Sequence, residues 1–254
     1  MAFIQCAFKS VALGGETNFY MALPDNFENS KVLYLLHGLS DGHTNWMRYT
    51  SVERFVRERG ITVIMPDGGR SFYTDMKYGR AYYTYITSEL YDYVGKVFKL
   101  NQTRENTFVA GLSMGGYGAV KLALRNPDKY GAAASFSGVL DIVSRFDAVN
   151  ELSGEWKKDI HLICGGEPVK NTDDDLFYLL DKYVSDPEMK KPRIYQACGT
   201  EDFLYTDNQR FKEKISHLGF DYKYEEGPGN HNWEFWNEYL PKALDFFENK
   251  EKKL

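Results

Sequence analysis

Short, largely apolar runs separated by longer amphipathic stretches set the pattern of this chain. Lys31–Leu36, Ile61–Met65, Thr107–Ala110, Ala132–Phe136 and Arg193–Ala197 are such runs, the signature of strands buried on both faces. Two β-rich stretches, 3–10 and 16–23, flank Leu13-Gly14-Gly15 and read as an antiparallel opening pair. Between the apolar runs lie helix-length segments at Ser51–Arg59, Ile86–Leu100, Gly116–Arg125 and Asn208–Leu218. The last is followed by Gly219, where a helix C-terminus calls for positive φ. A further strand at Tyr222–Glu225 precedes the final helix. Strand and helix alternating in this way predict an α/β fold with a mostly parallel sheet and helices on both faces.

One stretch interrupts the alternation. From Val139 to Met189 no buried-strand pattern occurs, only short helical pieces around Trp156 and over Asp173–Tyr183. A gap of that length between central strands reads as an insertion, and 139–189 is expected to form a helical cap or lid over the site. Asp173-Asp174-Asp175 suggests calcium at first sight. A helix start, with an Asn171/Thr172 cap and acidic residues in the first turn, explains the triplet better. No repeat, low-complexity tract or linker divides the chain, so 1–254 is read as one domain.

Composition narrows the function classes. The chain has 254 residues, 43% hydrophobic and 26% charged, enough to bury a sizeable core without staples. Its formal charge of -5 and lack of a basic stripe argue against nucleic acid, and Lys250–Lys253 reads as a solvated tail. No apolar run approaches the roughly 20 residues of a membrane span. The N-terminal residues lack a basic head and apolar block, so no secretory signal is expected. Cys6, Cys164 and Cys198 cannot all pair within one chain, and none stands in a C-x-x-C spacing. Free thiols suit a cytoplasmic protein, and neither zinc nor dithiol chemistry is expected.

The chemistry lies in a few loops. Gly111-Leu112-Ser113-Met114-Gly115 follows an apolar strand and runs into a small-residue helix, the context that G-x-S-x-G requires. On such a sharp turn any side chain at the glycine positions would strike the neighbouring strand or helix. The turn raises Ser113 Oγ above the sheet, with a helix N-terminus behind it. Ser135 and Ser137 lack that setting. A serine needs a base, and of five histidines His231 stands out. It sits in Gly227-Pro228-Gly229-Asn230-His231-Asn232-Trp233 after the nucleophile, matching the order Ser, acid, His of α/β-hydrolases. The acid is sought after the strand Arg193–Ala197, at Asp202 or Glu201, with Asp202 favoured. Oxyanion donors are expected from the Met114 N–H and from the loop His37-Gly38-Leu39-Ser40. There Leu39 is the first choice and Ser40 the second. Trp46, Phe72, Tyr73 and Trp233 are candidate pocket walls, although core packing would explain each equally well.

Together, His37-Gly38-Leu39 with Trp46, the Gly111–Gly118 elbow, Gly199-Thr200-Glu201-Asp202 and Pro228–Trp233 resemble the esterase D group, in particular the bacterial tributyrin esterases. The group also includes S-formylglutathione hydrolases, and its relatives include feruloyl and acetylxylan esterases. The resemblance covers nearly the whole chain. It implies an α/β-hydrolase with triad Ser113, Asp202 and His231, oxyanion amides at Leu39 and Met114, and no cofactor. It also implies hydrolysis of short-chain acyl esters of small molecules and leaves homo-oligomerisation open. The alternative substrates are hydroxycinnamoyl or acetyl esters of cell-wall sugars, then formylglutathione. Acyl transfer to an alcohol is the alternative reaction.

Overall fold

Every apolar run expected to be a strand forms one. The structure, a computed structural model, describes residues 1–147 and 154–249. Eight strands build one sheet: β1 (Ala2–Ser10), β2 (Gly15–Leu23), β3 (Lys31–Leu36), β4 (Ile61–Pro66), β5 (Thr107–Leu112), β6 (Ala132–Phe136), β7 (Arg193–Gly199) and β8 (Tyr222–Gly227). Their spatial order is β1-β2-β4-β3-β5-β6-β7-β8. β1 pairs antiparallel with β2 and β2 with β4, while every pairing from β4 to β8 is parallel. β3, β4, β5 and β6 are buried almost throughout because both sheet faces are covered.

The covering layers follow from helix amphipathicity. Helix α1 (Asn45–Tyr49) leads into α2 (Val52–Arg59). With α10 (Trp233–Phe247), α2 covers one face, burying Val52, Val56, Leu240 and Leu244 in a core that includes Leu33, Val63 and Ala134 of the sheet. The other face carries the continuous helical stretch α3 (Tyr82–Thr84), a π-helical segment (Tyr85–Leu90) and α4 (Tyr91–Val97). It also carries α5 (Met114–Arg125) and α9 (Tyr205–Ser216). The α3–α4 stretch begins at Tyr82, before the expected Ile86; the tyrosines at 82, 83 and 85 hide its apolar period in the sequence.

Chain crossing positions the site. From β3 the chain passes to β4 on one side, and from β5 it passes to β6 on the other. Adjacent strands whose connections diverge leave a crevice at their carboxyl ends. The loops at that crevice begin at His37 and Ser113.

Within 139–189 the described residues form α6 (Ile142–Asp147), α7 (Gly154–Cys164) and α8 (Leu176–Ser185), with no strand. Helix α8 packs on α5 and α9, within the helical layer. The start of α8 differs from expectation. Asp175, not Asn171 or Thr172, is its N-cap, accepting hydrogen bonds from the Phe177 and Tyr178 N–H groups. The other two acidic residues point elsewhere: Asp173 pairs with Lys182, and Asp174 reaches the wholly buried Lys121 of α5. Lys121 Nζ donates to Asp174 Oδ1 at 2.9 Å, Thr74 Oγ1 at 2.7 Å and the Phe72 carbonyl at 3.0 Å. Burial pulls this ammonium below its ordinary pKa, and Asp174 opposes that shift. Asp174→Asn leaves the cation buried without its counter-charge. It should cost on the order of 3 kcal/mol in urea unfolding, as broken buried pairs do.

Candidate active site

Local sterics build the elbow. Ser113 has φ 52° and ψ −117°, a strained backbone for a residue with a side chain. Its N–H donates to the Phe136 carbonyl at 2.9 Å, and its carbonyl accepts from Tyr117 at 3.1 Å, so the strain is held from both sides. The flanking glycines are required by contact, as expected. A Cβ on Gly115 would lie 2.5 Å from the Leu36 carbonyl oxygen, and one on Gly111 would strike the Gly115 carbonyl.

The loop after β8 brings His231 to the same end of the sheet. Its Nδ1 lies 3.0 Å from Asp202 Oδ2 and 3.2 Å from Oδ1. The Asp202 side chain is shut away from solvent and also accepts from the Leu204 N–H at 2.8 Å. Burial alone would raise the Asp202 pKa. The His231 hydrogen bond and charge, the Leu204 N–H and the Ser137 hydroxyl outweigh it and hold the carboxyl below its ordinary value. Glu201 turns the other way: exposed, it accepts from the Gly229 N–H and secures the loop that carries His231. Of the two carboxylates, geometry joins Asp202 to the imidazole.

The loop after β3 is fastened at several points. Gly38 N–H donates to Asp41 Oδ2, Asp41 Oδ1 accepts from Asn45, and Arg70 reaches the Leu39 carbonyl at 3.4 Å. Arg70 is itself gripped by Asp159 of α7. Among the described residues, neither the Leu39 nor the Met114 N–H has a protein acceptor, and both residues border the space above Ser113. Ser40 borders only the neighbouring recess.

Two recesses meet at Ser113. A cavity of about 670 Å³ on the α6–α7 side is walled by Leu39, Phe72, Met114, Val139, Trp156 and Leu204 near the serine. A second recess is lined by Gly38–Asp41, Tyr49, His231, Trp233 and Trp236. Leu39, Ser113 and Phe203 border both. Phe72 and Trp233 therefore stand where pocket walls were expected. Trp46 and Tyr73 do not: both are buried and act on the backbone. Trp46 Nε1–H donates to the Leu36 carbonyl at 3.0 Å, and Tyr73 OH donates to the His37 carbonyl at 2.9 Å. Their polar handles tie down the strand end and the loop before Leu39.

The family model described as "Putative esterase" matches residues 10–247. The chain belongs to this esterase family. It is 32% identical to the acetyl esterase of Caldicellulosiruptor saccharolyticus over 97% of this chain and 98% of that protein. Two solved structures from Staphylococcus aureus are similar over 97% of this chain and 98% of theirs. The fluorophosphonate-binding serine hydrolase F has TM-score 0.87 and 37% identity, and the S-formylglutathione hydrolase FrmB has TM-score 0.86 and 38% identity. The protein is thus a carboxylic ester hydrolase with the α/β-hydrolase architecture.

The candidate site contains residues that sequence reasoning passed over. Ser137 follows β6 with φ 49°, and its N–H donates to the Ala197 carbonyl at 2.8 Å. Its Oγ accepts from Trp236 Nε1–H at 3.2 Å and supports the Asp202 carboxylate. The Trp236 ring also stands edge-on to His231, with centroids 5.0 Å apart. One tryptophan thus braces both His231 and the serine beside Asp202. Only the left-handed φ singles out Ser137, and a sequence does not display it. Among the described residues, no group of three or more His, Cys, Asp or Glu could hold a metal ion, and no helix is long and apolar enough to cross a membrane.

Proposed function

We propose that this esterase hydrolyses short-chain acyl esters through a serine acyl-enzyme. The observation that carries the reading is the convergence of Ser113, the His231–Asp202 pair and two unbonded amides on one junction. Ser113 Oγ attacks the ester carbonyl as His231 Nε2 takes its proton. The Leu39 and Met114 N–H groups receive the oxyanion, each worth about 3 kcal/mol in such sites. The imidazolium, steadied by Asp202, then protonates the leaving oxygen and the alcohol departs. Water, deprotonated by the same imidazole, attacks the acyl carbonyl; Ser113 recovers its proton and the acid leaves. Ser113 forms no side-chain hydrogen bond among the described residues, and contacts of this kind commonly tighten only when substrate binds.

The acetyl esterase relative favours a small acyl group, and Phe72 and Trp156 give the cavity apolar walls for it. Of the 139–189 insertion read as a cap, Val139, Ser144, Arg145 and Trp156 border that cavity, which supports the cap reading. Three free cysteines suit a reducing, cytoplasmic setting.

A matched panel tests the substrate: p-nitrophenyl acetate, butyrate and octanoate, methyl ferulate, acetylated xylo-oligosaccharide and S-formylglutathione. The expected result is a kcat/KM for acetate or butyrate at least tenfold above that for octanoate and ferulate. Preference for ferulate, the acetylated sugar or the thioester would replace the short-acyl assignment and leave the triad in place.

A further inference from the structure

The cavity on the α6–α7 side has a mixed lining. Phe72, Met114 and Trp156 give it apolar walls, and where α6 meets α9 it is lined by Arg145, Arg210 and Asp207. Both guanidinium groups are held by carboxylates. Arg145 donates to Asp207 through Nε at 2.7 Å and Nη2 at 3.1 Å, with Nη2 also 3.3 Å from the Phe203 carbonyl. Arg210 Nη1 donates to Asp141 at 2.5 Å and to Ser144 Oγ at 3.1 Å. Its Nη2 lies 3.9 Å from Asp207.

The pairing is asymmetric in a way that matters for a ligand. The Asp207 and Asp141 side chains are 3% and 10% exposed, whereas those of Arg145 and Arg210 are 35% and 46% exposed. Asp207 also borders the cavity, but both carboxylates are far less exposed than the guanidinium groups, whose edges are presented. Arg145 Nη1 and Arg210 Nε have no partner among the described residues. Two planar donors are therefore fixed in place before any ligand arrives, which lowers the entropic cost of binding an anion.

We propose that this part of the cavity binds a carboxylate at the far end of the acyl group, so that monoesters of short dicarboxylic acids are substrates. The assignment rests on the serine acyl-enzyme reading. His231 must protonate the leaving oxygen, and His231 lines the other recess, so the alcohol departs on that side. The acyl chain then runs past Met114 and Phe72 toward the arginines. Its methylenes meet the apolar walls, and its carboxylate meets the free N–H edges, where charged hydrogen bonds are strongest.

The test compares kcat/KM for the monoethyl esters of glutaric, adipic and suberic acid with those for ethyl pentanoate, hexanoate and octanoate, followed by ethanol release. The ratio of charged to uncharged ester at equal chain length is the readout, so a general loss of activity cancels. In at least one pair, Arg210→Gln should lower this ratio about tenfold or more, the effect of losing one charged hydrogen bond. Arg210→Lys, which keeps charge but not the planar fork, should fall between. A ratio that is the same in Arg210→Gln and the unaltered enzyme for all three pairs would overturn the proposal. The arginines would then serve only to clasp α6 to α9. If the unaltered enzyme cleaves none of the six esters and resists fluorophosphonate, the nucleophile assignment falls and the subsite falls with it.

Discussion

Ser113→Ala should lower kcat/KM for p-nitrophenyl butyrate by about 10⁵- to 10⁶-fold, the scale on which serine hydrolases lose activity without their nucleophile. The same variant should lose all labelling by a fluorophosphonate probe, while its far-UV circular dichroism and urea midpoint stay close to those of the parent. The fold should tolerate the change because Ser113 keeps its strained backbone through main-chain contacts, the Phe136 carbonyl and the Tyr117 N–H, and not through Oγ. Retention of more than one hundredth of the activity would mean that a different group attacks the ester. Alanine at this position keeps both candidate oxyanion amides, so a small residual rate above the uncatalysed reaction is expected.

Asp202→Asn should reduce kcat about 10⁴-fold, because an amide favours the wrong imidazole tautomer and gives no charge to balance the imidazolium. Glu201→Gln provides the contrast. Its carboxylate lies on the Gly229 N–H, and a neutral amide oxygen can still accept that bond, so kcat should stay within about threefold. Equal losses in the two variants would remove the distinction drawn from geometry. The electrostatics point the same way in acid. The Asp202 pKa is lowered in the folded protein, so its contribution to stability is complete above the ordinary carboxylate value. That contribution is lost as pH falls through the lower native value. Unfolding in acid should therefore shift to higher pH in Asp202→Asn.

Legibility followed the range of each interaction. The elbow at Gly111–Gly115 could be read directly, since its glycines answer to clashes within a few residues and with the adjacent strand. His231 emerged by elimination among five histidines, a small enough set for loop position to decide. Trp46 and Tyr73 show the limit: an aromatic near a motif looks like a pocket wall until its N–H or O–H is found on a backbone carbonyl. The start of α8 shows another. Asn171, Thr172 and Asp175 all have capping chemistry, and only the chain's path places Asp175 at the helix start.

The sequence by itself determined the strand-and-helix alternation, the strained serine turn, the order Ser, acid, His, and the esterase chemistry they imply. Each of these depends on local pattern, apolar periodicity or short spacing, which survive in one dimension. The sequence already favoured Asp202 over Glu201, but the His231–Asp202 contact, the bracing of His231 and Ser137 by Trp236, and the two recesses on either side of Ser113 appear only in the tertiary structure. These features join residues that are tens of positions apart, such as Ser137 with Trp236 and Arg145 with Asp207. Their partners are selected by packing across the sheet ends, and no local pattern encodes which distant side chain arrives.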